Sequence, residues 1–107
     1  MKAGDYAEKT AEFIRSFIGK EGCVLLKMEF VTEDGLKYLR AYIDLTGEER
    51  KKREEELAIT PEVSINDCAN ISRRVSKWLD KEDFIEEEYT LEVCSRGYLK
   101  EEGEMKS

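Results

Sequence analysis

The segment CVLLKMEFVTEDGLKYLRAYID, residues 23–44, decides the fold because it predicts a β-hairpin. Polar residues alternate with apolar ones, so the first strand is expected to direct four apolar side chains to one face: Val24, Leu26, Met28 and Phe30. Glu33–Gly35 predicts a hairpin turn, in which the glycine is expected to adopt the positive φ that other residues avoid. The returning strand then directs three apolar side chains to the same core: Leu39, Ala41 and Ile43.

Two helices are predicted on either side of the hairpin. The apolar spacing from Tyr6 to Ile18 predicts the first, with Asp5 as its N-terminal cap and Gly19 as its stop. VSINDCANISRRVSKWLD, residues 63–80, predicts the second, with Ser64 as the cap and Asp67 completing a capping box. Its buried side is expected to comprise Ile65, Cys68, Ile71, Ser72, Val75, Trp78 and Leu79.

Between the hairpin and the second helix lies a charged insertion, residues 47–62. Residues 47–57 have no apolar stripe, so we expect a solvated segment, part helical or disordered, that does not dock firmly. A last strand is predicted over Tyr89–Cys94, with Phe84 and Ile85 folding back onto the core. The order helix-strand-strand-helix-strand predicts an α+β fold, a three-stranded sheet with both helices on one face.

Composition narrows the class of function. The chain has 107 residues with a net charge of −7 and a pI near 4.8, so one small acidic domain that meets basic protein surfaces is expected. The sequence has no apolar segment long enough to span a membrane, and its N-terminus lacks the apolar run of a signal peptide. We therefore expect a cytoplasmic protein. The three cysteines are far apart and there is no histidine, so we expect no metal, no cofactor and no catalytic site.

Two motifs leave RNA binding open as an alternative. Gly19 and Gly22 spell the Gly-x-x-Gly of a KH-domain clamp, but here they join a helix to a strand and also fit a helix stop and turn. Tyr38, Arg40 and Tyr42 share one strand face on which bases can stack, although tyrosine also favours half-exposed strands. Paired carboxylates such as those of 86–88 lie in polar runs, which indicates a solvated face rather than catalysis.

Two motifs of the chain resemble those of the N-terminal domain of the ribosome maturation factor RimP. The first is YLRAYID, residues 38–44. The second extends over the last helix and strand and consists of Asp67, Cys68, Ser72, Arg73, Ser76, Leu79, Asp80, Asp83, Ile85, Tyr89, Leu91, Glu92 and Val93. The resemblance implies a KH-like topology and a non-enzymatic factor that aids assembly of the small (30S) ribosomal subunit. It also implies a basic ribosomal protein near the decoding centre as the partner. We do not expect direct RNA binding, because the chain is acidic, and we expect no membrane and no small-molecule substrate.

The chain departs from the family pattern at the insertion and near its end. Ser95 and Gly97 remain where the family has an interdomain hinge, so residues 1–94 are expected to form the domain and 95–107 a linker remnant. The family's SH3-like barrel does not follow, which is expected of either a truncated chain or a single-domain relative. The latter would be a stand-alone acidic interaction module without the ribosomal role.

We predict that the partner-binding residues are Tyr38, Arg40, Tyr42, Asp44, Asp67, Asp80 and Asp83. A purely structural role for each aspartate remains open: helix capping for Asp67, and turn formation for Asp44, Asp80 and Asp83.

Overall fold

Residues 3–57 and 62–95 are described by a computed structural model of the chain. The elements are α1 (Ala3–Phe17), a 3-10 turn (Ile18–Glu21), β1 (Cys23–Glu33), β2 (Leu36–Leu45), α2 (Gly47–Leu57), α3 (Ile65–Glu82) and β3 (Thr90–Ser95). The predicted α+β class and the predicted order of its helices and strands are confirmed, with α2 as an additional helix. No helix among the described residues is both long and apolar enough to cross a membrane.

The sheet has the order β1-β2-β3, with β2 in the centre. β1 and β2 pair antiparallel through the predicted turn, in which Asp34 and Gly35 have φ values of 51° and 80°. Two consecutive residues with positive φ match the twist that a two-residue hairpin needs. β2 and β3 pair parallel, and parallel neighbours require a long connection, which here contains α2 and α3.

The core lies between the sheet and the two long helices. Leu39, Ala41 and Ile43 are fully buried, as predicted, and so are Ile71 and Val75 of α3. α1 and α3 contact each other through Phe13 and Trp78, whose rings stack with centroids 4.4 Å apart. Phe84 and Ile85 pack against this core as expected.

The prediction for the first half of β1 was wrong. The register shifts between Leu25 and Lys27, so Leu26 is an extra residue relative to β2. Such a bulge shifts the alternation of side chains, and Cys23 and Leu25 are buried where Val24 and Leu26 were expected. Val24 and Leu26 are exposed, whereas Met28 and Phe30, beyond the bulge, do pack against the core.

Helix ends account for three further corrections. α1 includes Ala3, so Asp5 lies inside its first turn, where its charge suits the helix dipole, rather than at the cap. The chain continues past Gly19 as a 3-10 turn and stops at Gly22, whose φ of 77° is left-handed, so Gly22 and not Gly19 ends the helical segment. Ile65 is 88% exposed because it lies in the first turn of α3, before the residues that face the sheet. The Ser64–Asp67 capping box is confirmed.

The insertion is more ordered than predicted. Residues 47–57 form α2, and Thr46 accepts the backbone N–H of Glu49 at 3.1 Å as a helix cap. The helix does dock, but through charged side chains instead of an apolar stripe. Residues 58–61 of the insertion lie outside the described part of the chain.

Candidate protein-interaction surfaces

We call the side of the sheet opposite α1 and α3 the open face; it carries Tyr38, Arg40 and Tyr42. Arg40 is the centre of a network there. Its Nε donates to Glu92 Oε1 at 2.7 Å, and its Nη1 and Nη2 donate to the two oxygens of Glu33 at 2.6 and 2.8 Å. These carboxylates raise the pKa of Arg40 above its usual range. Because Glu33 and Glu92 belong to β1 and β3, Arg40 joins all three strands.

The two tyrosines of the open face are only partly available to a partner. The guanidinium of Arg40 lies 4.5 Å from the ring centroid of Tyr38, a cation–π contact. Tyr42 is buried, and its hydroxyl donates to Glu29 at 3.0 Å. Burial first, and then this bond, raises the pKa of Tyr42. The open face therefore shows a satisfied polar network and not a row of free stacking rings.

Asp44 and Asp67, which we call the aspartate pair, both contact α2. Asp44 Oδ1 accepts the backbone N–H of Leu45 at 2.8 Å and Nη2 of Arg50 at 2.7 Å. Asp67 accepts Nη1 and Nη2 of Arg53 at 2.8 and 3.2 Å while it completes the cap of α3. The Arg53 contact is the main cause of the lowered pKa of Asp67.

Asp80 and Asp83 lie at the opposite end of α3. Asp80 lies thirteen positions after Asp67 on this helix, which corresponds to about 20 Å. Asp83 ends the helix in a left-handed conformation with φ of 45°, and its N–H bonds to Leu79 at 2.8 Å. Both are exposed to solvent, and Tyr89 has its pKa raised first by burial and then by their charges. Asp80 and Asp83 thus lie apart from the aspartate pair, so the predicted site residues do not form one cluster.

The Gly-x-x-Gly segment is not open to a ligand. The N–H of Gly22 bonds to Gly19 at 3.0 Å, as in a helix stop. A Cβ placed on Gly22 would lie 2.8 Å from Cγ and Cδ of Glu49, so α2 packs directly over this backbone. The segment joins the 3-10 turn to β1, which is the helix-to-strand context read from the sequence.

The three cysteines form no disulfide, although Cys68 and Cys94 line the same surface pocket. Cys23 is buried, and burial raises the pKa of its thiol to about 12. Burial also raises the pKa of half-buried Cys68 and Cys94. Within residues 3–57 and 62–95, no group of three or more acidic, histidine or cysteine side chains is placed to hold a metal ion.

Sequence reasoning missed the side chains that neutralise the predicted site residues. Glu33 and Glu92 were not connected with Arg40, and Arg50 and Arg53 were not connected with the aspartate pair. The spacing of Arg50 and Arg53 was the available signal, because residues three apart share one face of a helix. Arg53 also forms an ion pair at 2.8 Å with Glu49, four residues earlier in α2.

A three-stranded sheet with two helices on one face defines a small α+β domain, and the net charge of the chain is negative. Residues 13–98, most of the chain, match the family model described as the RimP N-terminal domain. The chain therefore belongs to the RimP family of ribosome maturation factors, as its motifs indicated. This membership implies involvement with the small ribosomal subunit in general.

Proposed function

We propose that this chain is a non-enzymatic ribosome maturation factor that acts in the cytoplasm. It aids assembly of the 30S subunit by binding a basic ribosomal protein near the decoding centre. The observation that carries the proposal is the acidic end of α3, a surface defined by Asp80, Glu82, Asp83, Glu86, Glu87 and Glu88, all of which are exposed. Opposite charge accelerates encounter with a basic partner and favours one orientation of docking.

The open face has a secondary role in this proposal. Arg40 and Tyr42 already have partners within the domain, so they stabilise the sheet that presents the partner-binding surfaces. Tyr38 is half-buried and can extend the contact area. Among the predicted residues, Asp80 and Asp83 are thus the ones expected to contact the partner first.

The proposal is tested by co-sedimentation of the chain with purified 30S subunits at low and high salt. Asp80→Asn/Asp83→Asn removes two charges, and asparagine tolerates the left-handed conformation of Asp83. We expect binding to weaken by about threefold to tenfold, as for the loss of two exposed ion pairs. Glu8→Gln/Glu12→Gln removes two exposed charges from α1 and is the matched control, with no expected change. A wild-type chain that stays in the supernatant at low salt refutes the proposal.

A second candidate function is a stand-alone acidic interaction module without the ribosomal role. The observation in its favour is α2, because the charged insertion covers the aspartate pair. A pull-down of the tagged chain from its source cells distinguishes the two. Ribosomal proteins as the main recovered partners support the first proposal, and a different dominant partner supports the second.

We also propose that residues 1–94 form the domain and that 95–107 serve as a linker. Ser95 is the last residue of β3 and pairs with Ile43 of β2. This position at the end of a strand supports the proposal that the linker begins directly after the sheet. Gly97, the other predicted hinge residue, lies outside the described residues.

A further inference from the structure

The helix α2 contacts the rest of the domain through two ion pairs and through Glu49, which packs over Gly22. It contains four consecutive basic residues, Arg50 to Arg53, and the two arginines have different surroundings from the two lysines. Both arginines contact the domain, Arg50 at Asp44 and Arg53 at Asp67, whereas Lys51 and Lys52 are exposed. The aspartate pair thus holds guanidinium groups, one of them through two parallel hydrogen bonds, a geometry that an ammonium group does not reproduce.

We propose that the aspartate pair is a guanidinium-binding surface for an arginine-bearing segment of the partner. In the isolated chain, α2 occupies this surface with its own arginines and is displaced when the partner binds. The inference rests on the proposed function, since it names the chemistry by which a basic ribosomal protein is recognised. It adds a second contact to the acidic end of α3, with α2 as an internal competitor.

Each carboxylate also accepts a hydrogen bond from outside α2. Asp44 accepts the N–H of Leu45, and Asp67 bonds to the backbone N–H of Ser64 in the capping box of α3. A carboxylate has acceptor sites for about four hydrogen bonds, so each can bind a guanidinium in addition. Removal of α2 would leave both carboxylates oriented for another arginine.

The contacts of α2 suit reversible displacement. Among its described side chains none is fully buried, and the side chains of Arg50 and Arg53 are 37% and 21% exposed, whereas those of Asp44 and Asp67 are 12% and 13% exposed. The partly exposed arginines make these ion pairs sensitive to salt, and a guanidinium of the partner would replace each one that leaves, so neither carboxylate would stay unpaired. A ligand that binds only the uncovered surface therefore shifts the helix towards its undocked state.

The test compares Arg50→Gln/Arg53→Gln with Lys51→Gln/Lys52→Gln, which removes the same charge from the same helix. In the arginine variant, amide exchange over residues 47–56 is expected to accelerate about tenfold or more because docking is lost. The lysine variant is expected to exchange like the wild type. Far-UV circular dichroism checks that the domain is folded, and Arg50→Lys/Arg53→Lys, which keeps the charge, provides a second, milder variant.

Binding is then measured with octa-arginine and octa-lysine peptides by fluorescence anisotropy. Octa-arginine is expected to bind the arginine variant about threefold to tenfold more tightly than the wild type, and more tightly than octa-lysine. Equal affinity for the two peptides, or no gain when α2 is undocked, overturns the inference. The milder variant is expected to show a smaller gain of the same sign, and no gain there counts equally against it.

Co-sedimentation with 30S subunits separates failure of this inference from failure of the proposed function. If the wild type and the arginine variant sediment equally, the function stands and the inference fails. If neither sediments but octa-arginine binds as described, the inference about the surface stands and the ribosomal function fails.

Discussion

Replacement of Arg40 by methionine is expected to destabilise the domain measurably. The change removes a guanidinium whose side chain is only 14% exposed and which bonds to Glu33 and Glu92. Hydrogen bonds to charged groups contribute about 1.5–3 kcal/mol each in shielded sites. The two glutamates are 53% and 38% exposed, so water solvates them again when Arg40 is lost. We therefore expect a loss of about 1–2 kcal/mol in the free energy of unfolding.

Urea unfolding followed by the fluorescence of Trp78, the single tryptophan, measures this loss directly. The midpoint is expected to fall while the slope with urea stays constant, since the surface exposed on unfolding hardly changes. Arg73→Met is the matched control, because Arg73 is exposed and bonds only to Asn70 among the described side chains. If both variants lose less than about 0.5 kcal/mol, Arg40 does not stabilise the sheet through this network.

Three further predictions follow from the same contacts. Gly22→Ala is expected to lose about 1–2 kcal/mol of stability because its φ is 77° and Glu49 occupies the added space, whereas Gly19→Ala has free space and should be nearly neutral in urea unfolding. Cys23 is expected to resist a thiol-reactive disulfide reagent at about pH 8 in the folded chain and to react after unfolding, and rapid native labelling would contradict its burial. The pKa of Asp67 in the folded chain is lower than its ordinary value of 3.8, so the stabilisation from its carboxylate is complete above pH 3.8 and is lost as the pH falls through the folded pKa. The difference in the free energy of unfolding between wild type and Asp67→Asn should therefore shrink between about pH 7 and pH 3. A difference that stays constant over this range would contradict the prediction.

Local sequence rules predicted much of the fold. Leu39, Ala41 and Ile43 were correctly assigned to the core because strand alternation is unbroken in β2. The Ser64–Asp67 box was predicted because capping depends on residues only three apart. The bulge at Leu26 was not predictable in this way, since it depends on how β1 pairs with β2.

The candidate site was less predictable than the fold. Charge and motif selected the aspartates, but spacing along the chain does not reveal which of them a distant arginine neutralises. Arg53 and Asp67 are 14 residues apart and belong to different helices. For α2, the absence of an apolar stripe suggested a solvated segment, and only the folded arrangement shows that complementary charges hold it in place.

The most direct test of the ribosomal role is co-sedimentation of the full chain with purified 30S and 50S subunits in parallel at the same ionic strength. The two subunits both contain RNA and basic proteins, so the 50S subunit controls for nonspecific charge attraction. We predict saturable binding to the 30S subunit and none to the 50S subunit. Equal binding to both subunits, or binding to neither, would contradict a specific role in maturation of the small subunit.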